Sequence, residues 1–271
     1  MRASAAAKIN LGLVVGPLRD DGKHELLTVY QRIAIADRLD VDPADRLAVE
    51  GFAADTLVRA ALERLGERAG VEPRWRVRIE KRLPVAAGIG GGSSDAATAL
   101  RLANAQLERP LDDAVLHEIA ASVGADVPFF LRDGPQVGSG DGTTLAAVDL
   151  PQDFWVVLFL PRDARKDSTA AVYRAFDERD GATGWEERSA AFREVLANVR
   201  RPRDLAALPP NDLVQSTWVE SLLALGAFHA DVSGAGPSVY GLFLHKTPAD
   251  AAHRRLRLSG RTWLTAPAWY G

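Results

Sequence analysis

Hydrophobic and polar positions alternate strictly over residues 74–81, where Trp75, Val77 and Ile79 share one side and charged residues take the other. A period of two predicts a half-buried strand. Residues 96–103 are instead rich in alanine and leucine, which predicts a helix that Ser93 or Ser94 could cap. Four glycines lie in the short span between them. A strand, a glycine loop and a helix N-terminus predict a phosphate-binding site, because free amides and the helix dipole favour an anion.

The remaining first half of the chain shows shorter patterns. Residues 5–15 predict a strand on which Lys8 and Asn10 point to the same face. That face is either exposed to solvent or part of a site, and the pattern leaves both open. Further predicted elements are a hairpin turn at Asp21-Gly22, strands over 26–35 and 46–50, a helix from Asp55 to Gly66 or Gly70, and a helix opened by Asp112 and Asp113 and closed by Gly124.

The second half alternates helix and strand. Helices are predicted near 168–178, 186–198, 212–225 and 249–257, and strands over 154–160, 229–233, 238–244 and 262–266. Pro151 marks a boundary between these elements and the first half. The pattern predicts an α+β protein with two domains, residues 1–150 and 151–271, the second built on an antiparallel sheet with helices on one face.

Composition narrows the class of protein. A length of 271 residues suffices for two modest domains, and a formal charge of -3 gives no electrostatic reason to expect a nucleic-acid partner. The absence of cysteine excludes disulfides and thiolate chemistry. No apolar run approaches the ~20 residues of a membrane span. We expect a soluble cytoplasmic protein with a small-molecule substrate, without nucleic-acid or membrane partners, and present as a monomer or weak homodimer.

Two common nucleotide loops fit the glycine segment badly. A Walker loop needs a lysine after its last glycine, and none follows here. The dinucleotide pattern G-x-G-x-x-G fails because Ser93 stands at the last glycine. A tight turn without a ligand is the simpler alternative, although four glycines before two serines exceed what a turn requires.

The segment L-P-V-A-A-G-I-G-G-G-S-S-D-A-A resembles the phosphate loop of the GHMP kinases, a family named for galactokinase, homoserine kinase, mevalonate kinase and phosphomevalonate kinase. Other motifs resemble the family in order: A-A-K-I-N-L near the start, D-G-K-H-E-L, G-A-D-V-P-F-F, P-N-D-L and V-S-G-A-G-P-S. The triple glycine resembles one branch in particular, whose substrate is 4-diphosphocytidyl-2-C-methyl-D-erythritol (CDP-methylerythritol).

The resemblance implies a two-lobed fold, with an N-terminal lobe like ribosomal protein S5, a ferredoxin-like C-terminal lobe and a cleft between them. It implies phosphoryl transfer from ATP to the C2 hydroxyl of CDP-methylerythritol, with Mg²⁺, a step in the non-mevalonate route to isoprenoids. Alternatives are another GHMP-type kinase resembling homoserine or mevalonate kinase, which would lack D-G-x-H, and a non-catalytic nucleotide-binding protein, which would lack the base.

Residue roles follow from the matched motifs. Asp126 would accept the hydroxyl proton and Lys8 would keep it ionised, although composition alone also allows Asp126 to be a helix cap. Ser93 or Ser94 could contact Mg²⁺, with no dedicated metal site. The expected ATP-binding residues are Pro84, Val85, Ala86, Ala87, Gly88, Ile89, Gly90, Gly91, Gly92, Ser93, Ser94 and Asp55, and the expected substrate-binding residues are Asn10, Lys23, His24 and Tyr30.

The sequence departs from the family at several of these positions. Alanine replaces a proline before Lys8, and Asp55 replaces an asparagine near the adenine, where it could equally be only a cap. Lys23 replaces the tyrosine that stacks on the base. The third expected aromatic, after the strand over 154–160, is missing. We therefore expect weaker base contacts and stronger diphosphate contacts through Lys23 and Arg162 or Arg165.

Overall fold

Two antiparallel-rich sheets with helices packed on them make up the protein, as a computed structural model describes it for residues 1–52, 56–164 and 168–269. The strands are β1 (Arg2–Leu18), β2 (His24–Pro43), β3 (Ala48–Glu50), β4 (Trp75–Glu80), β5 (Gln136–Gly140), β6 (Thr144–Ala147), β7 (Trp155–Pro161), β8 (His229–Val232), β9 (Val239–Phe243) and β10 (Gly260–Thr265). The helices are α1 (Leu57–Ala69), α2 (Gly91–Asn104), α3 (Asp113–Val123), α4 (Thr169–Glu178), α5 (Trp185–Asn198), α6 (Trp218–Ala224) and α7 (Lys246–Leu256), with 3-10 helices at Pro128–Leu131 and Pro202–Ala207.

The N-terminal sheet is built on a long hairpin of β1 and β2, and β4 and β5 pair with opposite ends of β2 along the edge that β1 leaves free. Helices α1, α2 and α3 pack on this sheet through buried residues such as Leu62, Leu100 and Ile119. A second core joins β1 to the other half of the protein, where Ile9 and Leu11 meet Phe192. Burial on both sides explains why residues 5–15 read as a mainly apolar run.

The C-terminal sheet has the order β10-β7-β9-β8, and all of its pairings are antiparallel. Helices α6 and α7 cover it through Leu222, Ala249 and Leu256. The predicted α+β class with an antiparallel second sheet is confirmed. The chain passes from one sheet to the other between Ala147 and Trp155, and the proposed domain boundary at residue 150 lies in that interval.

Two local predictions are wrong. Neither Ser93 nor Ser94 caps α2: the cap is Gly90, whose φ of +69° lets the chain enter the helix at Gly91. The helix expected over 212–225 begins only at Trp218, because the Asn211 side chain accepts hydrogen bonds from the backbone N–H groups of Leu213 and Val214 in a turn. The strand predicted over 26–35 is confirmed within β2, which continues to Pro43.

Candidate active site

A cavity of about 750 Å³ lies between the two sheets, and residues from both halves of the chain line it. Its walls include the glycine loop, the Lys8 side of β1, the segment at Asp126, helix α4 and the turn at Gly234. Clefts of this size and mixed lining are typical of small-molecule sites. The sequence motifs, which are far apart along the chain, therefore meet around one space.

The glycine loop has a backbone that only glycine tolerates easily. Gly88 and Gly90 have φ values of +78° and +69°. A Cβ at Gly88 would lie 2.3 Å from the Ser233 carbonyl oxygen, and one at Gly90 would lie 2.8 Å from Phe130 Cζ. Because α2 begins at Gly91, its free first-turn amides come from the glycines and Ser93. This arrangement can hold an anion at the helix N-terminus.

Most of the predicted ATP-binding loop lines the cavity: Pro84, Val85, Ala86, Ala87, Gly88, Gly90, Gly91, Gly92 and Ser93. Ile89 and Ser94 are instead buried, and the Ile89 carbonyl accepts the backbone N–H of Lys8 at 3.0 Å. Of the two serines, the structure therefore favours Ser93 for contact with a nucleotide or its metal. Asp55 lies outside the described residues.

Lys8 and Asp126 form the ion pair that the resemblance led us to expect. Lys8 Nζ lies 3.2 Å from Asp126 Oδ2 and 2.7 Å from Asn10 Oδ1. Asn10 Nδ2 in turn donates to the Thr28 hydroxyl, which donates to the Gly12 carbonyl. Lys8 is 3% exposed and Asp126 is 32% exposed. The ammonium is thus fixed inside the protein, while the carboxylate faces the cavity.

Tyr30 belongs to the same end of the cavity. Its ring stacks on the Phe129 ring, with the two centroids 5.0 Å apart. The Lys8 ammonium lies over the Tyr30 ring, 5.6 Å from its centroid. Burial and the neighbouring Asp126 carboxylate raise the pKa of Tyr30 well above its ordinary value, so its hydroxyl stays protonated. Tyr30 lines the cavity with 2% of its surface exposed, and its expected contact with the substrate stays a prediction.

Another part of the cavity wall is aromatic. His24 is buried, with Nδ1 2.9 Å from the Gly16 carbonyl and Nε2 3.2 Å from Asp177 Oδ1. Tyr173 on α4 stacks on His24 with ring centroids 5.1 Å apart. Burial, together with the Asp126 charge, raises the pKa of Tyr173 to about 12. Tyr173 is an aromatic residue of the cavity wall that the sequence analysis did not name, because it lies on α4 and not directly after β7.

Cationic side chains at the cavity rim only partly match the expectation. Lys23 is half exposed and forms an ion pair with Asp141. Partial burial would raise the pKa of Asp141, but hydrogen bonds from Lys23 and Thr143 outweigh it and lower that pKa to about 2. Arg162 lies outside the cavity lining and donates to the Leu258 carbonyl, so its expected diphosphate contact is wrong. Arg174 on α4 lines the cavity instead, and Arg165 lies outside the described residues.

Sequence reasoning also missed an ionic cluster beneath the glycine loop. Lys81 Nζ lies 2.7 Å from Asp37 Oδ2 and 2.6 Å from Asp95 Oδ2, and both carboxylates are fully buried. Burial would lower the pKa of Lys81, but the two carboxylates outweigh burial and raise it. Asp37 also accepts the N–H groups of Arg82 and Leu83. The cluster ties β2, the start of the loop and α2 together.

The V-S-G-A-G-P-S turn closes the other side of the glycine loop. The Ser233 hydroxyl donates to the Gly88 carbonyl at 3.0 Å, and Ser238 N–H donates to the Ala87 carbonyl. Asn211 Nδ2 donates to the carbonyls of Val232 and Gly234, which holds the turn in place. This turn and the P-N-D-L motif therefore support the glycine loop from the C-terminal half.

The described residues contain neither a metal-binding cluster nor a membrane-spanning helix. No group of three or more histidine, aspartate or glutamate side chains is arranged to hold a metal there. No described helix combines the length and apolar character needed to cross a membrane.

The chain matches two family descriptions, "GHMP kinases N terminal domain" over residues 56–134 and "GHMP kinases C terminal" over residues 196–262. It is 38% identical over 269 residues to the 4-diphosphocytidyl-2-C-methyl-D-erythritol kinase of Anaeromyxobacter sp. (strain Fw109-5), covering 94% of this chain and 86% of the relative. It is 34% identical over 281 residues to the enzyme of the same name from Chlorobium phaeobacteroides (strain BS1), covering 97% and 96%.

Solved structures of GHMP kinases share the fold of this chain. A crystal structure of 4-(cytidine 5'-diphospho)-2C-methyl-D-erythritol kinase matches with a TM-score of 0.79 at 33% identity, covering 99% of both chains. A mevalonate kinase matches with a TM-score of 0.74 at 11% identity over 98% of this chain and 99% of that one, which shows a shared fold alone. The chain therefore belongs to the GHMP kinase family, in the group formed by the 4-diphosphocytidyl-2-C-methyl-D-erythritol kinases.

Proposed function

We propose that this protein transfers the γ-phosphoryl group of ATP to the C2 hydroxyl of 4-diphosphocytidyl-2-C-methyl-D-erythritol, which yields the 2-phosphate and ADP. The observation that carries the proposal is the Lys8–Asp126 ion pair beside the glycine loop in one cavity. Relatives that carry the name of this activity align over nearly the whole chain.

The nucleotide end of the reaction rests on the glycine loop. The free amides of Gly91, Gly92 and Ser93 face the cavity at the positive end of α2, where they would hold the β- and γ-phosphates. Strand β4 fixes one end of the loop, and Ser233 fixes its middle. A fixed array of donors costs little reorganisation when charge moves during transfer.

Asp126 would take the proton of the attacking hydroxyl. Its carboxylate faces the cavity and lies 3.2 Å from the Lys8 ammonium, which supports a role as the general base. As the C2 oxygen bonds to the γ-phosphorus, its proton passes to Asp126, and the bond between phosphorus and the β–γ bridging oxygen breaks. Lys8, held by Asn10, lies where it can also offset charge on the transferring group.

Mg²⁺ fits this donor set without a protein cage. Magnesium often binds through nucleotide oxygens and water, with one or two protein oxygens. Among the cavity oxygens, the Ser93 hydroxyl at the start of α2 would be available for that purpose. The ion would supply positive charge to the phosphates.

The cytidyl group would occupy the aromatic end of the cavity. Tyr173 offers a ring, and the polar edge of the buried His24 is oriented by Gly16 and Asp177. Lys23 and Arg174 at the rim would meet the diphosphate. In this way the acceptor would span the cavity from Tyr173 to Asp126, with ATP entering from the glycine loop. We also propose that the chain divides into two domains, residues 1–150 and 151–271.

A single assay separates the candidate acceptors. Purified protein is incubated with ATP and Mg²⁺ and with CDP-methylerythritol, CMP, mevalonate or homoserine in parallel, and ADP and the phosphorylated product are quantified. Of the four acceptors, we expect only CDP-methylerythritol to be phosphorylated, with ³¹P NMR showing a new monoester on C2. Turnover of mevalonate or homoserine with none of the cytidyl substrate would overturn the substrate assignment. The Asp126→Asn variant is the control for contaminating kinases.

A further inference from the structure

Arg32 is the largest fully buried side chain of the described residues, with 1% of its surface exposed. Its guanidinium donates to three carbonyl oxygens: Phe130 at 2.9 Å, Trp269 at 3.2 Å and Phe129 at 3.3 Å. Burial and the charge of Arg101 lower the pKa of Arg32 to about 10, and its Nε has no hydrogen-bond partner within the described chain. An arginine is costly to bury in this way, so its contacts call for an explanation.

The carbonyls that Arg32 binds lie just after Asp126. Residues 128–131 form a 3-10 helix, and the Arg32 guanidinium lies over the rings of Phe129 and Phe130, 5.0 and 5.8 Å from their centroids. Phe129 stacks on Tyr30, and the Phe130 ring lies against Gly90. The 3-10 helix therefore follows Asp126 closely in the chain and packs against both Tyr30 and the glycine loop.

Lys8 and Arg32 stand directly opposite each other in the β1–β2 hairpin. Opposite residues of an antiparallel pair share a face, and like charges there are unfavourable. Both side chains nevertheless reach the same segment of chain: Lys8 pairs with Asp126, and Arg32 binds the turn that follows. The two cations therefore hold consecutive parts of residues 126–130.

The third acceptor brings the C-terminal segment into the same arrangement. After β10 the chain returns to β2, where Ala34 N–H donates to the Ala266 carbonyl and Ala268 N–H donates to the Arg32 carbonyl. Gly134 N–H donates to the Trp269 carbonyl at 2.9 Å. The end of the chain thereby contacts both Arg32 and the residues that follow the 3-10 helix.

We infer that Arg32 is a positioning residue for phosphoryl transfer: together with residues 266–269 it fixes the 3-10 helix behind Asp126, and so sets the distance of the base from the acceptor hydroxyl. The inference rests on the proposed function for its catalytic consequence only. The mechanical link between Arg32, the C-terminal segment and residues 126–134 stands or fails independently of the substrate.

Arg32→Met removes the donors at similar length, and Arg38→Met, at an exposed position on the same strand, is the matched control. Because a small misplacement of a catalytic group lowers turnover, we expect Arg32→Met to lower kcat by about 10-fold or more with both KM values within about twofold of wild type. The kcat of Arg32→Lys should lie between that of wild type and that of Arg32→Met. Rates are measured where urea titration shows each variant fully folded.

The C-terminal link is tested by Ala268→Pro, which deletes the N–H bonded to Arg32, against Ala268→Gly, which keeps it. We expect Ala268→Pro to lower kcat and Ala268→Gly to leave it unchanged. The double variant with Arg32→Met should lose no more than Arg32→Met alone, since coupled sites are not additive. Multiplying losses would mean that the segment acts independently, which overturns the inference.

Hydrogen exchange by mass spectrometry supplies the readout without substrate. Peptides covering residues 126–134 should exchange about 10-fold faster in Arg32→Met, while α3 keeps its wild-type rate. Unchanged exchange and unchanged kcat in Arg32→Met would each overturn the inference. If wild-type protein fails on the cytidyl substrate but the exchange result holds, the proposed function is wrong and the positioning role of Arg32 survives.

Discussion

Removal of the Asp126 carboxylate tests the mechanism most directly. Two unit charges 3.2 Å apart, as Lys8 Nζ and Asp126 Oδ2 are, attract each other by about 5 kcal/mol at an effective dielectric constant of ~20. The partial exposure of Asp126 reduces the usable share to roughly 1–3 kcal/mol, the range of measured couplings between neighbouring groups. Loss of a positioned general base contributes a factor of about 10²–10⁴, or ~3–5 kcal/mol of activation free energy.

We therefore expect Asp126→Asn to lower kcat by about 10²–10⁴ with little change in the KM for ATP. Lys8→Met should lower kcat by about 10² or more, the scale reported for a single electrostatic donor. The double variant should be no slower than the slower single variant, because the pair acts as a unit.

The assay is steady-state ADP release with CDP-methylerythritol and saturating ATP, supported by circular dichroism and thermal melts. Asp153→Asn is the matched control, since Asp153 is exposed, lies outside the cavity and makes the same change of charge. A folded Asp126→Asn protein with turnover within about tenfold of wild type would refute the assignment of the base. Losses that multiply in the double variant would show that Lys8 acts apart from Asp126.

Four further outcomes are expected. Gly90→Val should abolish ATP binding in calorimetry while the protein stays folded, because a branched side chain would meet Phe130 at a φ of +69°; unchanged affinity would remove the phosphate-cradle role. Tyr173→Ala should raise the KM for CDP-methylerythritol by roughly 10- to 100-fold at constant KM for ATP, since stacking contributes ~1–3 kcal/mol per base, and Tyr173→Phe should retain wild-type values. Lys23→Tyr should remain active and flatten the rise of that KM with salt, because a screened charge contact is exchanged for a ring; an unaltered salt dependence would exclude a diphosphate contact by Lys23. Burial raises the pKa of Asp231 to about 7, so the folded protein holds this proton more tightly than the unfolded chain; relative to Asp231→Asn, wild type should lose up to about 2 kcal/mol of unfolding free energy between pH 5.5 and 7 in urea titrations, and a gain would contradict the argument.

Local patterns determined most elements of this fold. The residues that alternate over 74–81 form β4, whose odd-numbered side chains are buried. Helix α3 begins after Asp112 and ends before Gly124, as predicted. These signals are short in range, because strand alternation and helix caps depend on neighbouring residues. The chemistry of the glycine loop, Lys8 and Asp126 was also visible, since motifs record which residue types a reaction needs.

Tertiary packing decided what short-range patterns could not. Whether Lys8 and Asn10 faced solvent or a site depended on distant segments at Gly90 and Gly234, which lie against these side chains and bury them. Gly90 rather than a serine caps α2, because a positive φ is available to glycine and the loop is held at Ser233 from the other half of the chain.

Apart from the Lys8–Asp126 pair, which the family resemblance led us to expect, contacts between distant residues could not be predicted from the sequence. Tyr173 meets His24 only because α4 folds back over the turn between β1 and β2. Lys81 finds its two carboxylates on β2 and α2, and Arg32 finds carbonyl partners nearly 100 and more than 200 positions away. No periodicity or motif records such pairings, since they arise from the way the two sheets close around the cavity. The sequence determined which chemical groups the protein carries, and the fold determined which of them meet.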